Sequence, residues 1–452
     1  MHGLIPEFLF QNKMQKEKPV KKNNRFQIRF VHRRTVRLAA FFLLLITVVA
    51  LFADVLSSEK PLYVKYRGAH LFPAISLNGF TEIDNNDSIG PQRLVYANVD
   101  WRDLKKEKVI WCPVVFSPGK SDWPNSPFKS PFDYQTYTEN GKTSAADFRN
   151  RHWLGTTKTG ADVLSGIIHG TKVSLTIGIC SMIIAGLTGI LLGAMAGFFG
   201  DHRIRVSKPG LFTATIFGLP LAWFYGVSLP LRCFFQMENA SFLSVPALFI
   251  LAVLLIAISI FITYFFGRLA GRIFNISGHA FLHVDQFISR GIEIFNSIPR
   301  IVLIITLSAI ARPSVANLVL IIGFTSWTDI ARLVRAEMLK VRSAEYILSA
   351  EASGIKTIRQ VYRHALPNVV IPAITAITLG IASAILTESA LSFLGIGVPA
   401  DVVTWGSLLN EGRQNFSAWW LVAFPGLAIF CTVTAFNIAG DALSESIDTT
   451  KR

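Results

Sequence analysis

The sequence predicts an all-α polytopic membrane protein of about eight spans, with a small β-rich insert outside the bilayer. Three observations carry this. Apolar and aromatic residues make up 51% of the 452 residues and charged residues only 16%, against about 25% charged in a soluble domain. Apolar stretches long enough to cross a hydrocarbon core of ~30 Å recur along the chain. The net charge of +15 collects at the front and between those stretches, which suits membrane topology and not nucleic-acid binding. Together they exclude a disordered chain and argue against an ordinary soluble enzyme. Cys112, Cys180, Cys233 and Cys431 lie far apart with no CxxC or His/Cys cluster, so neither a disulfide framework nor a zinc site is expected.

Residues 1–37 form a basic tail, with ten Lys/Arg between Lys13 and Arg37 against one acid, Glu17. The first membrane helix follows at 38–56. Ala53-Asp54-Val55 makes a poor cleavage site, so this is an anchor and not a removed signal peptide. The positive-inside rule places the tail in the cytoplasm, where it serves topology and lipid attachment. Residues 57–160 hold fourteen Lys/Arg and eleven Asp/Glu and cannot cross a bilayer. Short β-like runs, Leu62 to Tyr66 and Val109 to Phe116, alternate there with turn-forming stretches such as Asn85-Asn86-Asp87. This is the extracytoplasmic insert, and its sole cysteine, Cys112, has no partner within it.

The transmembrane core resumes at 161–200. Thr171 to Phe199 carries Gly178, Gly186, Gly189, Gly193 and Gly197, small residues that let helices approach closely in lipid. Residues 201–286 form an inserted hydrophobic hairpin. Leu211 to Phe235 is broken by Pro220 and Pro230, Phe242 to Phe266 is unbroken, and Arg268 and Arg272 close it. Both limbs count as spans, because otherwise the basic loops on either side could not both be cytoplasmic. The segment 287–448 supplies Ile298 to Ile310, Val315 to Trp327 with its continuation toward Leu333, Val369 to Leu394, and Trp419 to Ile438. The C-terminus then returns to the cytoplasm.

The loop 336–368 holds Lys340, Arg342, Lys356, Arg359 and Arg363 and belongs on the cytoplasmic side. An Ala/Leu-rich helix from Glu345 ends at Gly354, which can adopt the left-handed stop. A second helix places Ile355, Ile358, Val361 and Tyr362 at helical spacing, and Pro367 fixes the entry to the next span. The resulting helix-turn-helix exposes an apolar stripe. Such a stripe is covered either by a protein partner or by the membrane surface.

This loop resembles the EAA loop of ATP-binding-cassette importer permeases: an EAA triplet, a glycine four residues after its last alanine, and a distal Leu-Pro. The triplet falls on Leu348, Ser349 and Ala350, with Gly354, Leu366 and Pro367 in register. Leu348 stands where the family has glutamate, and the nearest acid is Glu351. Further blocks are similar to the C-type permease subunit of dipeptide and oligopeptide importers. His152 to Thr156 with Gly160, Asp162 to Ser165 and Gly170 to Leu175 resembles the block before the second core helix, with Thr157 and Ala161 at positions usually Asp and Arg. Trp327 with Ala331 to Arg335 resembles the block leading into the EAA loop. Glu388 with Leu391 to Gly397 and Trp405-Gly406 resembles the signature after the fifth core helix, and Asn437 with Gly440 to Leu443 the family ending. Lys60-Pro61-Leu62 and Phe72-Pro73 are similar to the microcin C/oligopeptide branch. The resemblance covers about 38–200 and 287–448.

The resemblance implies a six-helix importer permease core to which the hairpin has been added. It implies a multi-pass subunit of the bacterial inner membrane with both termini cytoplasmic, forming half of a translocation path for di- and oligopeptides. Implied partners are ABC ATPase subunits, a second permease subunit in a heterodimer, an extracytoplasmic substrate-binding protein and the lipid membrane, with no nucleic acid. The subunit would be non-catalytic, with no cofactor and no metal, and the chain has no GxxxxGK[ST] loop. ATPase coupling would fall to Ile347, Leu348, Ser349, Ala350, Gly354, Ile355, Ile358, Leu366 and Pro367, rimmed by Arg359 and Arg363. A permease for nickel or another small solute is the near alternative. From other classes come a secondary transporter, for which paired broken helices are lacking, and a membrane-anchored sensor or enzyme using 57–160.

Charged residues inside spans are the remaining functional candidates. Asp329, Arg332, Glu293 and Glu388 qualify as path or gate residues, or as salt-bridge partners near helix ends. Asp329 and Arg332 are three apart and could satisfy each other. Glu388, apolar on both sides, is the foremost path residue. His279 and His283 are four apart and could share a helix face, but no third ligand lies near. Trp419, Trp420, Trp223 and Tyr225 fit interface anchors.

Overall fold

A computed structural model describes residues 34–66, 69–76, 80–83, 92–96, 99, 101, 108–139, 142–201, 203–236, 244–276 and 278–448. The basic tail up to residue 33 lies outside them. Seven helices are long and apolar enough to cross a bilayer, and eight if one bent pair counts as a span. In chain order these are α1 (Arg34–Leu51), α2 (Val163–Phe199), α3 (Lys208–Ser228), α4 (Ser244–Ile273), the bent pair α5 (Val284–Ser297) and α6 (Arg300–Ile310), α7 (Val315–Arg342), α9 (Thr357–Phe393) and α11 (Trp420–Asp448). Between the last of these lie the short helices α8 (Glu345–Ala352) and α10 (Trp405–Gln414).

The central element is α2. Its 37 residues give a rod of about 55 Å at 1.5 Å per residue. Asp162 caps its start, the carboxylate accepting from the Ser165 amide. The helix begins eight residues before the apolar run, because this cap and not hydrophobicity sets its N-terminus. Gly189, Gly193 and Gly197 lie against α7 in parallel register. A Cβ on Gly189 would come within 2.9 Å of the Trp327 carbonyl oxygen, on Gly193 within 2.5 Å of that of Ala331, and on Gly197 within 2.7 Å of that of Arg335. Two backbones this close exchange dispersion contacts that bulkier residues would forbid. Ile177, Met182, Ile322, Ile330, Val334 and Ile347 lie within the core that results. The antiparallel α9 covers another face of α2, and α1 packs beside it with Ile46 in a second cluster holding Leu175, Ile385 and Trp405.

The α3–α4 hairpin is attached at its base by a two-stranded ribbon, β8 (Arg205–Ser207) against β9 (His279–Phe281). Lys208–Ser228 remains one helix despite Pro220, but with widened π turns at Ala214–Gly218 and Ala222–Ser228. Pro220 and Pro230 lack the amide that would donate one turn back, and each widened turn lies just ahead of one of them. α4 runs on through Arg268 to Ile273, with Arg272 in its last turn. His279 and His283 do not share a helix face: the first lies in β9 and the second at the cap of α5.

The insert at 57–160 is built from small sheets and irregular chain. Antiparallel β1 (Tyr63–Tyr66) is flanked by β2 (Ala69–Leu71) and β5 (Lys108–Ile110) over a core of Val64, Leu71, Tyr96 and Trp101. Two hairpins, β3 (Phe80–Ile83) with β4 (Gln92–Val95) and β6 (Thr136–Glu139) with β7 (Lys142–Ala145), complete it. Only Val109 and Ile110 of the Val109 to Phe116 run lie in a strand. The remainder turns inward, burying Cys112, Val115 and Phe116. The Ser57 hydroxyl fastens the insert to α2, donating to Ser165 Oγ at 2.7 Å or to the Phe116 carbonyl at 2.8 Å.

Candidate functional site

The elbow between α7 and α9 lies at the end of α2 opposite the insert. The ends of α2 and α7 meet there, with Arg342 beside Gly200. α8 stops in a Schellman arrangement: the Ile355 amide donates to Ala350 O at 3.1 Å, the Gly354 amide to Glu351 O at 3.0 Å, and Gly354 holds φ +71°. The next helix is continuous with the span. Thr357 to Phe393 runs unbroken through a π turn at Val361–Ala365, just ahead of Pro367. Pro367 therefore widens a helix and does not separate two.

The stripe read from the sequence divides. Ile347 and Ala350 are buried and anchor α8 to the bundle, and Val361 and Leu366 pack on the same core. Ile355 is half-buried, and Ser349, Gly354 and Pro367 are exposed. Ile358 is 77% and Tyr362 75% exposed, joined by Leu348 and Tyr346 in an outward apolar face. The Asn368 amide donates to Tyr346 Oη at 3.1 Å across the elbow. Glu351 accepts from Arg203 Nη2 at 2.7 Å, so the acid beside the displaced EAA position ties the elbow to the loop after α2. That long-range pair was not visible in sequence.

Glu388, expected on the path, is sealed inside the subunit at 0% exposure. Ser174 Oγ of α2 donates to its Oε2 at 2.9 Å and Ser392 Oγ to its Oε1 at 2.8 Å. Close by, the start of α10 is wedged against α9, where a Cβ on Gly406 would meet Ser389 O at 2.4 Å. Glu388 is thus a polar bolt between helices and reaches no open surface. Asp329 and Arg332 do not satisfy each other. Asp329 Oδ2 instead accepts from Arg300 Nη1 at 3.4 Å, across the bend at Ile298–Pro299. Glu293 is exposed and paired with Arg290 at 2.6 Å. Arg300, Asp329 and Arg332 line a cavity of about 270 Å³ between α5, α6 and α7. The sequence did not single out Arg300, because its role depends on a 78° bend. On the same side, Arg335 holds Asp285 bidentately, with Nη2 to Oδ2 at 2.7 Å.

In the insert the chain brings together His152, Asp122 and Asp162, which lacked a sequence pattern. Nδ1 of the buried imidazole meets Asp162 Oδ1 at 2.9 Å, Nε2 meets Asp122 Oδ2 at 3.1 Å, and the ring stacks on Phe116. Burial pulls the His152 pKa down. The hydrogen bonds to Asp122 and Asp162, with their charges, outweigh it and hold it above the ordinary value. Burial pushes the Cys112 thiol up to about 11, so it stays a protonated, unreactive core residue. Among the described residues no His/Cys/Asp/Glu group is arranged to hold a metal ion.

Residues 266–452, which include the bent pair, the elbow and the last two spans, match the family model of binding-protein-dependent transport system inner membrane components. Over that segment the chain is similar to this permease family. The permease is 26% identical to the dipeptide transport system permease protein DppC of Bacillus subtilis, over 80% of its own length and 88% of the relative's. It is 25% identical to the inner membrane ABC transporter permease protein YejE of Escherichia coli, over 94% and 96%. A putative peptide transport system permease protein of Brucella suis is 34% identical over 40% of this chain and 62% of that one. The permease is a multi-pass membrane protein, and a system of this kind works with an ATPase and a substrate-binding protein.

Proposed function

We propose that the permease forms one transmembrane half of an ATP-driven importer of di- and oligopeptides, paired with a second permease subunit. The relatives named for dipeptide and peptide transport support the substrate class. The observation that carries the coupling role is the elbow: a buried anchor of Ile347 and Ala350 beneath an outward face of Leu348, Ile358 and Tyr362. An ATPase closing on that face displaces α8 as a unit, because the Schellman stop and the Arg203–Glu351 pair hold its C-terminal end and the Asn368–Tyr346 bond holds its start. The push passes into α9 without a joint, since the second limb and the span are one helix.

On this reading the elbow is cytoplasmic. Counting the bent pair as one crossing gives eight spans, which returns both chain ends to the elbow side. The insert then lies outside, where it meets the binding protein. Glu388 acts as a positioning residue for α10, and Asp329 and Arg332 line the path. The test is uptake of labelled dipeptide by cells lacking the permease and complemented with it, together with its co-purification with an ATPase. Restored uptake and a co-purifying ATPase are expected. An elbow labelled from outside by an impermeant thiol reagent at Ser353→Cys, or uptake of a metal ion in place of peptide, overturns the reading.

A further inference from the structure

The cavity behind the α5–α6 bend has the composition of a ligand site. Phe295, Ile298 and Leu303 give apolar walls, and Arg300, Asp329 and Arg332 supply the charge. This mixture of apolar lining with a few convergent polar groups is what small-molecule sites present. Its charges do not cancel. Asp329 is engaged by Arg300, whose second nitrogen donates to Ser326 Oγ. Arg332 has no hydrogen-bonded or ionic partner among the described residues and is exposed. The site therefore carries one surplus positive charge.

The depth of that charge matters. Arg332 is 17 residues along α7 from Val315, about 25 Å at 1.5 Å per residue. Counted from Val315 as the outer edge, this sets it near the inner end of a hydrocarbon core of ~30 Å. A guanidinium at this depth is retained where it faces water or an anion, and such residues mark substrate pathways. The planar fork of Arg matches a carboxylate bidentately. A volume of about 270 Å³ suits one end of a peptide and not a long chain.

We propose that this cavity binds the C-terminal carboxylate of the transported peptide, with Arg332 as the anion ligand and Arg300 held beside it by Asp329 and Ser326. The proposal rests on the peptide-importer reading and adds a recognition point within the membrane. The Asp329–Arg300 pair fixes one guanidinium edge at the cavity wall, and the unengaged Arg332 completes a cradle for two oxygens. Phe295 and Leu303 give the cradle an apolar backing.

The test compares uptake of a labelled dipeptide as free acid and as C-terminal amide, using the complete transporter in proteoliposomes loaded with its binding protein. The wild type is expected to favour the free acid. Arg332→Gln should lower the acid-to-amide uptake ratio about tenfold, the size of one lost charge-assisted hydrogen bond, while Arg332→Lys, which keeps the charge but not the fork, should retain only part of it. Immunoblots establish that the variants reach the membrane, and Arg300→Gln gives a second reading of the same ratio. If Arg332→Gln lowers both forms equally, the arginine serves a partner subunit's carboxylate and the proposal falls. If its effect vanishes in vesicles that lack anionic lipid, the cavity serves an anionic lipid headgroup and the proposal also falls. A wild type that moves neither form removes the importer reading, and this inference with it.

Discussion

Gly193 of α2 faces the backbone of Ala331 in α7 so closely that a Cβ there would sit 2.5 Å from the Ala331 carbonyl oxygen and 2.9 Å from Val334 Cβ. Neither obstacle is the free end of a flexible side chain, so the helices must separate to admit one. Gly193→Val is expected to destabilise the permease by about 1–3 kcal/mol or more, seen as a lower midpoint in fluorescence-detected thermal aggregation. Gly426→Ala, where a Cβ meets nothing within 4 Å, should be neutral or slightly stabilising, since alanine favours helix over glycine by about 1 kcal/mol. Equal behaviour of the two variants would refute the close-packing account.

Gly354 holds φ +71° in open space, so its requirement is conformational and not steric. A β-branched residue there costs about 1–2 kcal/mol in left-handed geometry and shifts the stop that orients α8. Gly354→Val should reach the membrane yet hydrolyse ATP without matching uptake, whereas Gly354→Asn, which tolerates that conformation, should transport. Uptake per ATP hydrolysed measures the difference. Normal coupling in the valine variant would show that the elbow's geometry carries no force.

Glu388 satisfies hydroxyls from two helices at once. Glu388→Ala leaves Ser174 and Ser392 without their acceptor in a sealed site, and a loss of about 2–4 kcal/mol is expected from unpaired polar groups and the void. Glu388→Gln keeps the shape and one carbonyl acceptor and should lose less than half as much. Unfolding midpoints in detergent rank the two. A path residue would instead show altered transport at unchanged stability.

His152 links the insert to the cap of α2 through two carboxylates. Its pKa is raised above the ordinary 6.5, so the stabilisation is fully present below that value and is lost as pH rises through the higher folded value. Limited proteolysis of the insert should therefore accelerate on the alkaline side, and Asp122→Asn should move the onset to lower pH. A protease rate independent of pH in the wild type would remove the clasp.

Much was legible in the sequence because the bilayer imposes long-period constraints on composition. Apolar runs located the spans, and glycines at fourfold spacing announced a close helix contact. Gly354 marked the elbow's stop through its own backbone freedom. These are local properties, each encoded within a turn or two. Helix ends were less legible: Asp162 starts α2 early by capping, and Pro367 widens one helix turn without ending the helix.

What the tertiary structure alone decided is which charges meet. Asp329 and Arg332 share a helix face at ideal spacing, yet Asp329 turns to Arg300 because the bend at Pro299 brings that guanidinium across. Glu388 looked like a lining residue and proved to be enclosed, since only packing tells which face of an all-apolar helix is inward. His152 meets Asp122 and Asp162 from 30 and 10 residues away. Which stretches are apolar and long enough to cross lipid is written along the chain, because hydration of backbone and side chains is a one-dimensional cost. Pairing of buried charges is a three-dimensional choice, settled by which partner the fold carries within about 3 Å.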